Sequence, residues 1–277
     1  MNIENLSVYA PPGNVPPLNV FDQPVGAPVQ RIRQGPGLFP ERKLGEIAIH
    51  KVESFRYNMV YSKQKGMEEL PLNSKVTIRH PELVAIDGAD GKIYFGGRTQ
   101  WLPEEMRQLR GGAVAAAEMI SYLAATRDDL GDLYPPRTRR TQAEFETLME
   151  RVWEAIAPSD GAPLTLSGFV DGLNTFAKRA GHQLVFNELD IRGHRPSADR
   201  CQGFIDDAMV RDTPVAFLNR IHGEDGEILR NWSLIVGQVG NRVILADDGV
   251  QRPIDFRLWH DTTSLGGGLV FAMRNPL

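Results

Sequence analysis

Apolar positions recur along this chain with two periods, and the change from one to the other divides it into regions. From 46 to 95 the period is two. Glu46-Ile47-Ala48-Ile49-His50-Lys51-Val52 alternates, Phe55 to Tyr61 is rich in β-formers, and Lys75-Val76-Thr77-Ile78-Arg79 alternates again. Leu83-Val84-Ala85-Ile86 faces Lys92-Ile93-Tyr94-Phe95 across Asp87-Gly88-Ala89-Asp90-Gly91, a hairpin with a long turn. The period then lengthens to that of a helix. A glycine pair, Gly111-Gly112, feeds a small-faced helix predicted over 112–126, rich in alanine and followed by Met119, Ile120 and Leu123.

Thr141-Gln142-Ala143-Glu144 is a capping box, so a second helix is expected from there to about 157, with Phe145, Leu148, Met149, Val152 and Ile156 on one face. A third is expected over 167–180, with Gly181 as its stop. A short strand over 183–186 precedes a fourth helix from 197, whose apolar face holds Cys201, Phe204, Ile205, Ala208 and Met209. The last third returns to strands over 214–218, 232–237, 242–246 and 267–273. Gly240-Asn241 and Asp248-Gly249 join neighbours through short turns, which makes that sheet antiparallel. Helices followed by antiparallel strands, after a β preface, define an α+β protein.

Residues 1–45 differ in kind, with prolines at 11, 12, 16, 17, 24, 28, 36 and 40. Proline fixes φ and removes a donor, so this arm is expected to be extended or irregular. Its spaced apolar residues, among them Leu6, Tyr9, Val20, Phe21 and Phe39, point to an arm lying along its own domain or a partner chain. Three regions follow: an extended arm at 1–45, a small β-subdomain at 46–95, and a main domain at 96–277.

A net charge of −4 and a pI near 5.9 argue against a broad nucleic-acid surface. The basic run at Arg137, Arg139 and Arg140 reads as a solvated turn. No stretch reaches the roughly 18 uninterrupted apolar residues of a membrane helix, and the N-terminus lacks the pattern of a secretory leader, so a cytoplasmic protein is expected. The single cysteine, Cys201, rules out an internal disulfide or a multi-cysteine zinc site. The histidines at 50, 80, 182, 194, 222 and 260 have no ligand spacing, so neither metal nor cofactor is expected. His222 stands apart because it precedes a Gly223-Glu224-Asp225-Gly226 tip able to swing a histidine and two carboxylates towards a cleft.

Four stretches resemble the papain-like cysteine peptidases, and among them the bacteriocin-processing type. Gly96-Gly97-Arg98-Thr99-Gln100-Trp101 resembles the loop of glycines, glutamine and tryptophan ahead of the nucleophile helix. Gly111-Gly112-Ala113-Val114-Ala115-Ala116-Ala117 resembles the Cys-Gly-Pro-Val-Ala-Ala-Ala run that opens that helix. The stretch from Asp212 to Asn219, followed by Asn231-Trp232-Ser233-Leu234-Ile235, is similar to the strands presenting the histidine. Ala246-Asp247-Asp248-Gly249 with the terminal Gly266 to Phe271 resembles the closing strands. The resemblance implies a nucleophile helix packed on an antiparallel sheet, across roughly residues 83–273.

It also places the nucleophile at Gly111 and the general base at Asn231. Glycine has no attacking atom, and asparagine does not carry a proton near neutral pH, so the covalent route through thiolate and imidazole is absent. Asp247 or Asp248 matches the orienting carboxylate and Gln100 the oxyanion-side glutamine, though both aspartates also read as turn residues before Gly249. Trp101, Gly111, Gly112, Asn231 and Trp232 are the expected binding residues. The implied function is a catalytically inactive, peptidase-like protein that binds a peptide or assembles with another protein, in part through the 1–45 arm. The alternative is a hydrolase or transferase of altered chemistry using Asp247, Asp248 and His222.

Overall fold

The computed structural model describes residues 75–104, 107–134, 140–158, 164–223 and 227–274. The 1–45 arm, the strands expected at 46–52 and 55–61, and the Glu224-Asp225-Gly226 tip lie outside the described residues.

Among the described residues, ten strands and five helices follow in order, with short 3-10 turns between them. They are β1 (Lys75–Thr77), β2 (Ala85–Asp87), β3 (Ile93–Phe95), α1 (Arg107–Thr126), β4 (Arg140–Thr141), α2 (Gln142–Ile156) and α3 (Leu166–Arg179). There follow β5 (Leu184–Ile191), α4 (Ala198–Val210), β6 (Val215–His222), β7 (Ile228–Val239), β8 (Arg242–Asp247), β9 (Val250–Asp255), α5 (Phe256–Thr262) and β10 (Gly267–Arg274). The main sheet runs β5-β10-β6-β7-β8-β9, antiparallel throughout, and β1 joins it by pairing with the far end of β7. A small sheet, β3-β2-β4, holds the predicted hairpin. This is the α+β arrangement that the resemblance implies, with the glycine-bearing helix packed against an antiparallel sheet.

Helix α1 lies against β7 and α2, and Ala113, Ala115, Ala116 and Ala117 are all buried. Side chains that small let the backbones of helix and sheet come close. The helix starts five residues before the predicted 112, so Gly111 and Gly112 lie inside it. Two glycines cost a helix interior about 1 kcal/mol each relative to alanine. At Gly112 packing explains the choice: a Cβ would sit 2.4 Å from Leu164 Cδ2 and 3.4 Å from Trp232 Nε1.

The caps behave as their chemistry requires. Thr141 and Glu144 form both bonds of the box that starts α2. Thr165 accepts from Gly168 N at 3.0 Å to start α3, and Gly181 follows that helix at φ 82°. The five residues expected on the apolar face of α2 are all buried. Gly172 of α3 is pressed on Ile156 of α2, where a Cβ would stand 2.5 Å from the Ile156 Cα.

Differences from the expected elements have local causes. Strand β5 runs on to Ile191 despite Asn187, Glu188 and Asp190, because β10 pairs with it from Leu184↔Arg274 to Ile191↔Gly267. Strand β9 carries Pro253 and few apolar residues, which an edge strand tolerates. The short α5 is capped by Asp255, whose carboxylate accepts from Leu258 N at 2.9 Å. Ile78, Val84 and Ile86 belong to the same core as α1 and the main sheet, so the described end of the 46–95 stretch shares that core.

Candidate functional site

A cavity of about 200 Å³ opens between α1 and β7. The loop before α1 contributes Gly97 and Thr99, and α1 contributes Arg107, Gly111, Val114, Ala115 and Glu118. Residues Arg230, Asn231, Trp232 and Ser233 of β7 form the facing wall, and Ala246, Asp247 and Asp248 close one side. Gly111, Asn231, Asp247 and Asp248, which lie far apart in sequence, therefore meet at one place.

Gly111 is unlike its neighbour. A Cβ built on it meets nothing nearer than Trp232 N, at 4.0 Å, so the site has room for a side chain that the chain does not supply. It is also the fifth residue of α1 and not its first. The free amides and the positive end of the helix dipole belong to the first turn, at Arg107, so Gly111 lies one turn away from them. Trp232 stacks on Phe169 with centroids 4.5 Å apart and planes 10° from parallel. Its indole is buried, and Nε1 has no acceptor among the described residues.

The two aspartates have separate roles. Asp248 adopts φ 50° in the two-residue turn between β8 and β9, followed by Gly249 at φ 83°. Its Oδ1 accepts from Thr99 N and from Thr99 Oγ1, each at 3.1 Å, and its Oδ2 from Gln100 Nε2 at 3.5 Å. It ties the loop before α1 to the β8–β9 turn. Asp247 ends β8 and is 8% exposed. Arg252 Nε lies 3.3 Å from Asp247 Oδ2, yet that oxygen accepts no hydrogen bond among the described residues. Burial raises the Asp247 carboxyl above its ordinary range; Arg252 opposes the rise and Asp248 adds to it.

Gln100 is exposed and also accepts from Arg98, so its amide serves the loop. Trp101 does not line the cavity; it packs edge-on against Tyr94 at 5.4 Å and Phe145 at 6.3 Å. Gly112 lies behind the wall against Leu164. His222 is exposed at the end of β6 and is not among the lining residues. Cys201 is fully buried in α4, away from the cavity, and burial pushes its thiol up to about 11.

Glu118 belongs to the site although no motif marks it. It is 5% exposed, lines the cavity from α1, and accepts from Gly97 N at 2.5 Å. Burial pushes its carboxyl up to about 8; the Asp247 carboxylate adds to this, while the Gly97 amide and Arg140 oppose it. The sequence does carry a signal, because Glu118 is the one charged residue between Gly111 and Thr126, in a stretch of the helix made mostly of apolar and small residues. Burial favours the protonated form of a carboxyl, the form able to donate a proton, and Glu118 and Asp247 are two buried carboxyls in one cavity shifted in that direction.

No protein-family profile matches the chain, and no curated protein matches it by sequence. Among solved structures it is similar to a prointerpain A fragment from Prevotella intermedia, at 14% identity, with 84% of each chain covered and a TM-score of 0.43. It is similar to the Pseudomonas avirulence protein AvrPphB at 13% identity, covering 60% of this chain and 93% of that one, with a TM-score of 0.30. A third similar structure is that of a protein from Bacillus anthracis described as C39-like peptidase, at 13% identity, 61% and 90% coverage and a TM-score of 0.30.

Proposed function

We propose that the protein binds an extended peptide segment, or a partner presenting one, in a papain-like cleft that has no covalent chemistry. The observation that carries this reading is that Gly111 and Asn231, the positions matching nucleophile and base, line the same cavity with Asp247 and Asp248. Neither residue type supplies an attacking atom or a proton shuttle, and the chain's single thiol is buried elsewhere. The space left at Gly111 lets another backbone approach closely, as peptide capture requires. The 1–45 arm adds a second contact to the partner.

Fluorescence anisotropy with labelled extended peptides, read together with mass spectrometry of the same mixtures, tests the reading. Binding without cleavage is expected, and Gly111→Trp, which fills the cavity, abolishes it while the melting transition persists. Cleavage by the wild-type protein, or binding untouched by Gly111→Trp, would overturn it. Deleting residues 1–40 is expected to leave the body folded and to weaken partner association.

One observation favours a second reading, a hydrolase or transferase of altered chemistry. Glu118 and Asp247 are buried, cavity-lining carboxyls raised above their ordinary range. In that reading they take the acid and base roles, Asp248 holds the loop, and His222 has no part. Turnover abolished by Glu118→Gln, with a rate falling as pH rises through 8, is its signature.

A further inference from the structure

Strands β6 and β7 pair so that Arg220 lies directly opposite Arg230. Side chains placed so in an antiparallel pair stand about 4.5–5.5 Å apart at Cβ, and like charges there repel. Arg192, just past the end of β5, is a third positive charge felt by Arg220. Among the described residues, the carboxylate acting on Arg220 is Asp190, and Arg192 Nε already holds both of its oxygens at 2.8 Å. That carboxylate is thus already engaged by another guanidinium. The Nε atoms of Arg220 and Arg230 are also shielded from solvent, and neither has an acceptor among the described residues.

Two opposed arginines with dry, unbonded donors leave a local deficit of negative charge. An anion able to accept from both would remove the repulsion and satisfy the donors together. Arg230 lines the cavity beside Asn231, so such an anion is reached from the cleft. Asp248 lines the same cavity and opposes a polyanion, which favours a single carboxylate over a run of phosphates.

We propose that the Arg220–Arg230 pair, backed by Arg192, is a subsite for the carboxylate of an aspartate or glutamate side chain in an extended peptide lying in the cleft. The proposal rests on the peptide-binding reading and adds a specificity to it. The planar forks of arginine suit a carboxylate held by two parallel bonds.

Three blocked alanine pentapeptides with a central Glu, Gln or Lys, titrated by NMR into the full chain, test it. The Glu peptide is expected to bind about tenfold to a hundredfold more tightly than the Gln peptide, the range for hydrogen bonds to a charged group, and the Lys peptide most weakly. Arg220→Gln and Arg230→Gln each bring the Glu peptide down to the level of the Gln peptide measured on the same variant. Either substitution relieves a repulsion, so both variants are expected to melt no lower than wild type, which separates the effect from misfolding. Equal affinity for Glu and Gln peptides overturns the subsite while leaving peptide binding in place. A Glu preference that survives both substitutions also overturns it. Binding of none of the three overturns the subsite and the cleft reading together.

Discussion

Replacing Glu118 by glutamine gives the most direct measure of what burial does to the cavity. In the unfolded chain this carboxyl titrates near its ordinary value of 4.5, and in the fold it is pushed up to about 8. Between those values the native state holds a proton that the unfolded chain has lost, so stability falls as pH rises, by about 1.4 kcal/mol per pH unit. Below 4.5 both states are protonated and the full contribution is present; above about 8 both are ionised and the loss is complete. Integrated across the window, the loss is about 5 kcal/mol, a large part of the roughly 5–15 kcal/mol that holds a domain folded. The glutamine side chain of the variant keeps an oxygen for the Gly97 amide and does not titrate. In urea unfolding at pH 5.5, 7, 8 and 9, Glu118→Gln is expected to exceed wild type by about 1–2 kcal/mol at pH 5.5 and by several kcal/mol at pH 9. Asp247 shifts in the same direction and interacts with Glu118, so the difference between the curves reports Glu118 together with its coupling to Asp247. A stability difference that stays constant from pH 5.5 to 9 would refute the assignment of a neutral, buried Glu118.

Two glycines should respond in opposite senses to alanine. Gly111→Ala gains helix propensity with no clash, and is expected to stabilise by up to about 1 kcal/mol, whereas Gly172→Ala drives a Cβ against the Ile156 backbone and costs about 1–3 kcal/mol. Thermal melts of both variants check this, and equal shifts would contradict the packing described. Asp248→Ala removes the acceptor for both Thr99 donors at a residue held at φ 50°, and is expected to cost about 1–3 kcal/mol. Asp248→Asn keeps an acceptor and tolerates that conformation, so its melting temperature stays near wild type; a drop equal to that of alanine would show that the loop clamp is not what holds the turn.

Much of the fold is legible in the sequence because its signals are local. The capping box at Thr141 and Glu144, the five-residue apolar face of α2 and the Asp248-Gly249 turn are each contained within one element. What is not legible depends on partners distant in sequence. Strand β5 continues through polar residues because β10 lies beside it, and the glycine at 112, inside α1, answers to Leu164, which packs against it from a distant stretch. The site divides in the same way. Gly111, Asn231, Asp247 and Asp248 stand out from short runs and do line one cavity, whereas Trp101, from a run equally suggestive, turns towards Tyr94 and Phe145. Glu118 escapes a sequence reading because a lone carboxylate in an alanine-rich helix has no motif; its meaning comes from the Gly97 amide and from Asp247.

The two adjacent glycines of α1 show how function can be separated from packing here. Gly112 is small where the Leu164 side chain packs against it, 2.4 Å from where a Cβ would stand. Gly111 has room, and as a glycine within a helix it sacrifices about 1 kcal/mol that alanine would supply. Neither backbone sterics nor neighbouring side chains account for that sacrifice. The proposed peptide, with its backbone passing against α1, would account for it, because a Cβ there would occupy the space the peptide needs. Gly111→Ala should therefore raise the melting temperature and weaken peptide binding together, the opposed changes of a position where activity limits stability. A substitution that raised both would remove the reason for glycine at 111 and leave the cavity as a gap between helix and sheet.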